Sequence, residues 1–199
     1  MTEELQLLDW KRRVFDLYAE VRAAAEPAGA WQRWRAIRDE LFRTHPQSPL
    51  PPEGRESFSG LAYFPYDPAL RLLAAVEPAE AETREIAGSA ASSTRFRRFA
   101  RAHFDGGSLE LYWLEAYGGG VFAPFRDATG GSDTYGGGRY VLDTVKGADL
   151  GIEEGRLVLD FNFAYNPSCA YDPRWAAPLS PPANRLGFEV RAGERMLAA

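Results

Sequence analysis

The sequence predicts a mainly β protein of the α+β class, an antiparallel β-barrel or β-sandwich preceded by an N-terminal helical hairpin. Two observations support this prediction. From residue 58 onward, short apolar segments are separated by glycine turns such as Asp105-Gly106-Gly107 and Gly118-Gly119-Gly120, which is typical of an antiparallel meander. Before residue 45, apolar residues instead recur every three or four positions, as they do on one face of a helix.

The first 44 residues predict the helical hairpin. One helix extends from about Glu3 to Ala25, Pro27-Ala28-Gly29 interrupts it, and a second helix extends from Ala30 to Phe42. Trp10 and Trp34 on these helices are expected to anchor packing, and the alternative is that they form a homodimer contact. A proline-rich connector over residues 45–57 leads to an antiparallel β domain over residues 58–199, which contains a long C-terminal loop.

Five strands are predicted within the β domain. They cover residues 70–76, 97–104, 108–114, 121–125 and 156–163. Residues 77–93 are rich in Ala, Glu and Ser and predict a loop or an edge ribbon. In the last predicted strand, Val158, Asp160 and Asn162 share one face because side chains alternate along a strand.

The composition favours a single-domain cytoplasmic protein. The chain has 199 residues, 45% of them apolar, and a net charge of −5. This charge argues against nucleic acid or an anionic membrane surface as a partner, because phosphate binding needs clustered Lys and Arg. Only Lys11 and Lys146 are lysines, and the single cysteine, Cys169, excludes an internal disulfide. The acidic N-terminus has no apolar signal core, and no apolar run approaches the ~20 residues that a membrane helix needs.

Polar side chains inside apolar runs mark the candidate site. The glycine-rich loop between residues 127 and 139 brings acid, hydroxyl, phenol and guanidinium groups together, and its glycines allow a ligand to approach the backbone closely. The last predicted strand and the segment after it add a carboxylate and two amides. The predicted ligand is a small polar or anionic molecule, whose carboxylate or phosphate an arginine would bind bidentately. The predicted lining residues are Arg126, Asp127, Thr129, Tyr135, Arg139, Asp160, Asn162 and Asn166.

Other interpretations of the same residues stay open. One is that the loop between Cys169 and Pro182 is attached to the sheet, with no ligand at all, by Asp160, Asn162, Asn166, Asn184 and Arg185. A hydrolase or isomerase would use Asp127 or Asp160 as a general base beside an arginine-bound anion. Cys169 is expected to be a buried structural thiol rather than a nucleophile. The residues define no cofactor, and two histidines with one cysteine are too few for a zinc site, while a carboxylate-rich site for a hard cation stays open.

Several segments carry a family resemblance. They are Pro124–Gly130, Thr134–Tyr140, Leu159–Tyr171, Asn184–Leu186 and Arg191–Glu194, with the upstream pieces Ser48-Pro49-Leu50 and Tyr63-Phe64-Pro65. These segments resemble a bacterial and archaeal domain-of-unknown-function family, number 1684. The family pattern often has a second cysteine where this chain has Ala177, so the resemblance implies that a paired-cysteine role is lost here. It implies no activity and no catalytic residues.

Overall fold

Three helices precede seven strands in the part of the chain that the structure, a computed structural model, describes: residues 1–89, 91 and 93–197. Residues 90 and 92 of the predicted loop or ribbon, and residues 198 and 199 of the predicted β domain, lie outside the described residues. The helices are α1 (Glu3–Ala23), α2 (Pro27–Thr44) and α3 (Pro52–Arg55). The strands are β1 (Arg71–Ala87), β2 (Ser93–Phe104), β3 (Gly107–Leu114), β4 (Val121–Phe125), β5 (Arg139–Asp143), β6 (Ile152–Glu153) and β7 (Arg156–Asp160).

The seven strands form one antiparallel sheet in the order β5-β4-β3-β2-β1-β7-β6. This confirms the predicted antiparallel β fold with an N-terminal helical pair, and the sheet is open rather than closed into a barrel. Tyr140 in β5 exchanges two backbone hydrogen bonds with Tyr165, which follows β7. Because β5 and β7 are far apart in the sheet order, this bridge requires the sheet to curl strongly.

The long hairpin of β1 and β2 extends further than the sequence predicts. Strand β1 continues through residues 77–87, which the composition had assigned to a loop or an edge ribbon. The added length is paired with β2, and acidic residues of β1 lie opposite arginines of β2, as in Glu82↔Arg98 and Glu85↔Arg95. Such cross-strand charge pairs and the completed backbone ladder stabilise a strand that has few apolar side chains.

Strand β7 is shorter than predicted. It ends at Asp160, and residues 161–163 form a turn of 3-10 helix. The Asp160 carboxylate causes this ending, because it accepts the Asn162 backbone N–H at 3.0 Å and so competes with the strand ladder. The predicted alternation of faces therefore stops at Asp160, and Asn162 is positioned by the turn instead.

The helical hairpin packs onto the sheet through its aromatic residues. Trp34 is 0% exposed and packs edge-on against Phe163 and Tyr63, with ring centroids 5.2 and 5.6 Å apart. Helix α1 is held less extensively, since only Leu17 and Tyr18 of its 21 residues are buried. Trp34 is thus a packing anchor within one chain. Among the described residues, no helix combines the length and the apolar character needed to cross a bilayer.

The proline-rich connector is fixed by side chains rather than by regular structure. His45 is buried, where its ring lies 3.2 Å from the Asp9 carboxylate and accepts the Gln47 backbone N–H at 3.0 Å. Arg55 donates to four backbone carbonyls of the connector. Helix α3 begins at Pro52, the last proline of the run, because proline is tolerated in the first turn of a helix.

The long C-terminal loop is attached to the sheet by Asn184. Its amide nitrogen donates to the carbonyls of Glu110 and Pro124, and its amide oxygen accepts the Glu110 N–H at 2.8 Å. Asn184 is fully buried. The contacts therefore support one of the roles that the sequence left open for Asn184, which is to attach the C-terminal loop to the sheet.

Candidate functional site

The Arg139 guanidinium lies in a sealed network and not at a surface. Register between β4 and β5 pairs Phe125 with Arg139, which brings Asp127 next to the guanidinium. Arg139 is 1% exposed and donates to Asp127 at 3.2 Å and to the carbonyls of Val190 (2.9 Å), Ala192 and Glu194 (3.1 Å). Burial lowers the pKa of Arg139, and the Asp127 carboxylate opposes that shift. The group holds the C-terminal segment against the sheet.

The other members of the glycine loop bond to one another. Asp127 accepts the Val190 N–H at 2.7 Å and the Thr129 hydroxyl at 2.8 Å, and Thr129 contacts the Thr134 hydroxyl at 2.8 Å. Arg126 donates to the Gly130 carbonyl within the same loop. These bonds occupy the carboxylate of Asp127 and the hydroxyls of Thr129 and Thr134, and they use one N–H of Arg126.

Glycine in this loop serves close backbone packing. Gly138 has φ +94°, and a Cβ there would lie 2.6 Å from the Phe125 carbonyl oxygen. The Tyr135 hydroxyl lies 3.6 Å from the Cys169 sulfur, and burial raises the pKa of Tyr135 to about 12. Cys169 is buried, and Ala177 is buried as well.

Asp160 and Asn162 form a second, separate network. The Asn162 side chain bonds to both the N–H and the carbonyl of Asp67 at 2.8 Å, and its amide nitrogen also donates to Asp160 at 2.8 Å. Arg71 Nε lies 3.9 Å from the Asp160 carboxylate, and burial raises the pKa of Asp160 to about 6. The cavity beside them has a volume of about 40 Å³, which suits water-sized molecules.

The predicted residues are divided between separate hydrogen-bond networks. The Asp127–Arg139 and Asp160–Asn162 networks share no hydrogen-bonding partner. The physical reason is that irregular loops leave many backbone groups unpaired, and buried polar side chains bond to them. Asn166 alone of the eight lines the large cleft described next.

A cleft of about 380 Å³ lies between helix α1 and the loops that follow β5 and β7. Six of its lining residues are aromatic, and most of the others are aliphatic. The lining residues are Leu7, Trp10, Lys11, Val14, Tyr18, Arg38, Phe42, Gln47, Pro49, Val145, Lys146, Ala148, Tyr165, Asn166, Ser168, Tyr171, Trp175, Ala176 and Ala177. We refer to this cavity as the hairpin cleft.

A buried carboxylate supports the floor of the hairpin cleft. Glu194 is 0% exposed and accepts hydrogen bonds from Arg38 at 2.8 Å, from the Tyr171 hydroxyl and from the Asn166 backbone N–H at 3.2 Å. Burial raises the pKa of Glu194, and the Arg38 guanidinium acts in the opposite direction. The ion pair fixes Arg38, Asn166 and Tyr171, which come from α2 and from the segment after β7.

Asn166, which lines the hairpin cleft, has one hydrogen-bonding atom without a partner among the described residues. Its amide nitrogen donates to the Arg195 carbonyl at 2.9 Å. Its amide oxygen has no partner among the described residues, although the residue is only 4% exposed. A buried acceptor without a partner costs about 1–3 kcal/mol, so a donor supplied by a bound molecule would be stabilising.

Sequence reasoning found Asn166 but missed the rest of the hairpin cleft. Trp10 was expected to anchor helix packing, which is the usual role of a tryptophan on the apolar face of a helix. The two lysines were visible as the only ones in the chain, but composition alone did not join them. Lys11 and Lys146 lie on neighbouring elements only because α1 contacts residues more than 130 positions later in the chain.

Comparisons with known proteins extend over most of the chain. A model of the family described as "Protein of unknown function (DUF1684)" matches residues 56–195. The solution NMR structure of an uncharacterised protein from Haloarcula marismortui is similar at 38% sequence identity and a TM-score of 0.57. That match covers 82% of this chain and 91% of the other. No curated protein matches the chain.

Proposed function

The chain belongs to the DUF1684 family of proteins of unknown function, and we propose that it binds a small organic molecule in the hairpin cleft. The observation that carries the proposal is a mostly apolar cavity of about 380 Å³ whose lining includes Asn166, a residue with an unpartnered amide oxygen. Sites for small molecules typically have volumes of ~300–1,000 Å³, apolar walls and a few fixed polar groups. The hairpin cleft has all three properties.

The proposed site differs from the pocket expected from the sequence. Of the eight residues predicted from the sequence, only Asn166 belongs to the proposed site. In this proposal the other seven stabilise loops. Apolar walls supply affinity through burial of the ligand, at roughly 25 cal/mol per Å² of apolar area, while the polar groups set its orientation. A cytoplasmic location without nucleic-acid or membrane partners remains part of the proposal, in line with the net charge of −5.

Catalysis by a buried carboxylate is a weaker alternative. The pKa of Asp160, raised by burial to about 6, suits a general base at neutral pH. The adjoining cavity of about 40 Å³ has no room for an organic substrate, however, and Asp127 already accepts four side-chain or backbone hydrogen bonds. We therefore place binding before a hydrolase or isomerase activity.

An assembly role without a ligand is the remaining alternative. Trp34 is buried within its own chain, so it is not available to a partner. Leu5, Leu8 and Phe15 on helix α1 are exposed and are the apolar residues that a homodimer contact would cover.

A thermal-shift screen against a metabolite library tests the binding proposal. At a ligand concentration 100 times its Kd, binding stabilises the folded state by about 2.7 kcal/mol, which corresponds to a rise in Tm of about 5–10 °C for a chain of this size. The same screen on Val14→Trp, which fills the hairpin cleft from helix α1, is expected to lose these shifts.

Ala19→Trp is the matched control, because Ala19 is an exposed residue of the same helix that does not line the cleft. It is expected to keep every shift seen with the wild type. Hits that persist in Val14→Trp, or a screen without any hit, would contradict the proposal.

A further inference from the structure

We infer that the ligand of the hairpin cleft is an amphipathic organic acid, with its carboxylate beside Lys11 and Lys146 and a hydroxyl or N–H group at Asn166. This inference rests on the proposed function and narrows it to a class of ligand. It draws on the charge of the lining, on the position of the two lysines and on the open acceptor at the floor.

The lining of the hairpin cleft is cationic although the protein is acidic. Three basic residues, Lys11, Arg38 and Lys146, line it, and no Asp or Glu is among its described lining residues. The whole chain carries 28 acidic and 23 basic side chains. Arg38 is neutralised by its ion pair with Glu194, so the two lysines give the cleft its net positive charge.

Both lysines reach solvent, and the Lys146 ammonium lies 5.7 Å from the centre of the Tyr140 ring. They are exposed, and neither forms an ion pair with a carboxylate within the described part of the chain. The nearest acid on the same turn as Lys146 is Asp143, which is buried and accepts the Lys146 backbone N–H at 3.3 Å and the Tyr165 hydroxyl at 3.2 Å. Burial raises the pKa of Asp143 and the Lys146 charge opposes that shift, but Asp143 is not among the residues that line the cleft.

The fold brings the two lysines to one side of the cleft. Lys11 lies on α1, one turn before Phe15, and Lys146 precedes Gly147. Helix α1 rests directly on this glycine, since a Cβ at Gly147 would lie 3.2 Å from the Phe15 Cα. Gly147 also has φ +82°, a conformation that favours glycine. The contact of Phe15 with Gly147 therefore sets the two ammonium groups on neighbouring elements.

Asn166, another lining residue, has a hydrogen-bond acceptor to offer. Its amide nitrogen donates to the Arg195 carbonyl, which leaves the amide oxygen as the group without a partner among the described residues. An oxygen acceptor pairs with a hydroxyl or an N–H and not with a second carboxylate. Phe42 and Tyr171, which also line the cleft, pack edge-on at 5.0 Å and provide an aromatic wall for the ligand's apolar body.

A panel of aryl- and alkyl-carboxylates of graded length, each paired with its primary amide, tests the inference. Trp10 and Trp175 line the cleft, so quenching of tryptophan fluorescence reports binding without a label. We expect the best acid to bind at least ~10-fold more tightly than its amide. We also expect a 4-hydroxyphenyl acid to bind more tightly than its phenyl analogue, because only the phenol donates to Asn166.

Charge variants assign the preference to the lysines. Lys11→Gln and Lys146→Gln are each expected to reduce the acid-to-amide ratio at least ~3-fold, while Arg12→Gln leaves it unchanged, because Arg12 is an exposed cation of the same helix outside the cleft. Three results would each overturn the inference. The first is equal affinity for the acid and its amide, the second is an acid-to-amide ratio that both lysine variants preserve, and the third is equal binding of the phenol and phenyl acids.

The outcomes separate the inference from the binding proposal. Neutral ligands that bind the wild type and not Val14→Trp would sustain the binding proposal and overturn the acid class. Absence of binding by every acid, amide and library compound would overturn both.

Discussion

Replacement of Arg139 by methionine is expected to destabilise the protein by about 4–5 kcal/mol, the loss seen when one partner of a buried ion pair is removed. The substitution leaves the Asp127 carboxylate buried without a counterion, and it leaves the carbonyls of Val190, Ala192 and Glu194 without their donor. Each buried group without a partner adds its own desolvation penalty. Urea denaturation of both proteins, with the free energy of unfolding extrapolated to water, measures the difference.

Two further variants test whether the loss of stability in Arg139→Met comes from its buried ion pair. Arg156→Met removes an arginine whose ion pair with Glu154 is exposed, and a change within about 0.5 kcal/mol is expected. Arg139→Lys keeps the charge beside Asp127 and is expected to fold while binding cleft ligands like the wild type. A loss below about 1 kcal/mol in Arg139→Met, or lost ligand binding in a folded Arg139→Lys protein, would contradict the attachment role.

Replacement of Asp160 by asparagine is expected to change stability in a pH-dependent way. Burial raises the pKa of Asp160 from 3.8 to about 6, so between about pH 4 and pH 6 the folded protein holds a proton that the unfolded chain releases. The wild type therefore loses stability as pH rises through this range, whereas an asparagine does not titrate. A shift of about two pKa units corresponds to about 3 kcal/mol.

The measurement is the free energy of unfolding of both proteins at a series of pH values from 4 to 8. The stability of Asp160→Asn relative to the wild type is expected to rise by about 3 kcal/mol across the series. Asparagine keeps an acceptor for the Asn162 N–H, so the turn after β7 is preserved. A difference that stays constant with pH, or that falls, would show that burial does not raise this pKa.

Local sequence patterns predicted the β meander well, because its turns depend on nearby residues. Glycines at 106 and 118–120 mark real reversals of the chain, with positive φ at Gly106, Gly118 and Gly119. Residues 77–87 were predicted as a loop or an edge ribbon, because their charged side chains become favourable in a strand only opposite the arginines of β2. A short stretch of sequence contains no information about the strand that will pair with it.

The candidate site was harder to predict because the same residue types serve ligands and backbone alike. Asp127 and Arg139 have the chemistry of an anion site, and their occupation by residues 190–194 depends on where the C-terminal segment passes. Lys11 and Lys146 are distant in sequence, and only the contact of Phe15 with Gly147 joins their elements. The composition of a local segment does not show which distant segment will pack against it.

The central claim is that ligands enter the hairpin cleft and not the glycine loop. The most direct test is a ¹H–¹⁵N correlation spectrum recorded during titration with the tightest-binding acid of the panel. The account predicts shifts of the indole N–H signals of Trp10 and Trp175, with that of Trp113, outside the cleft, unchanged. Shifts confined to the amides of residues 127–139, with both cleft indoles unaffected, would contradict it.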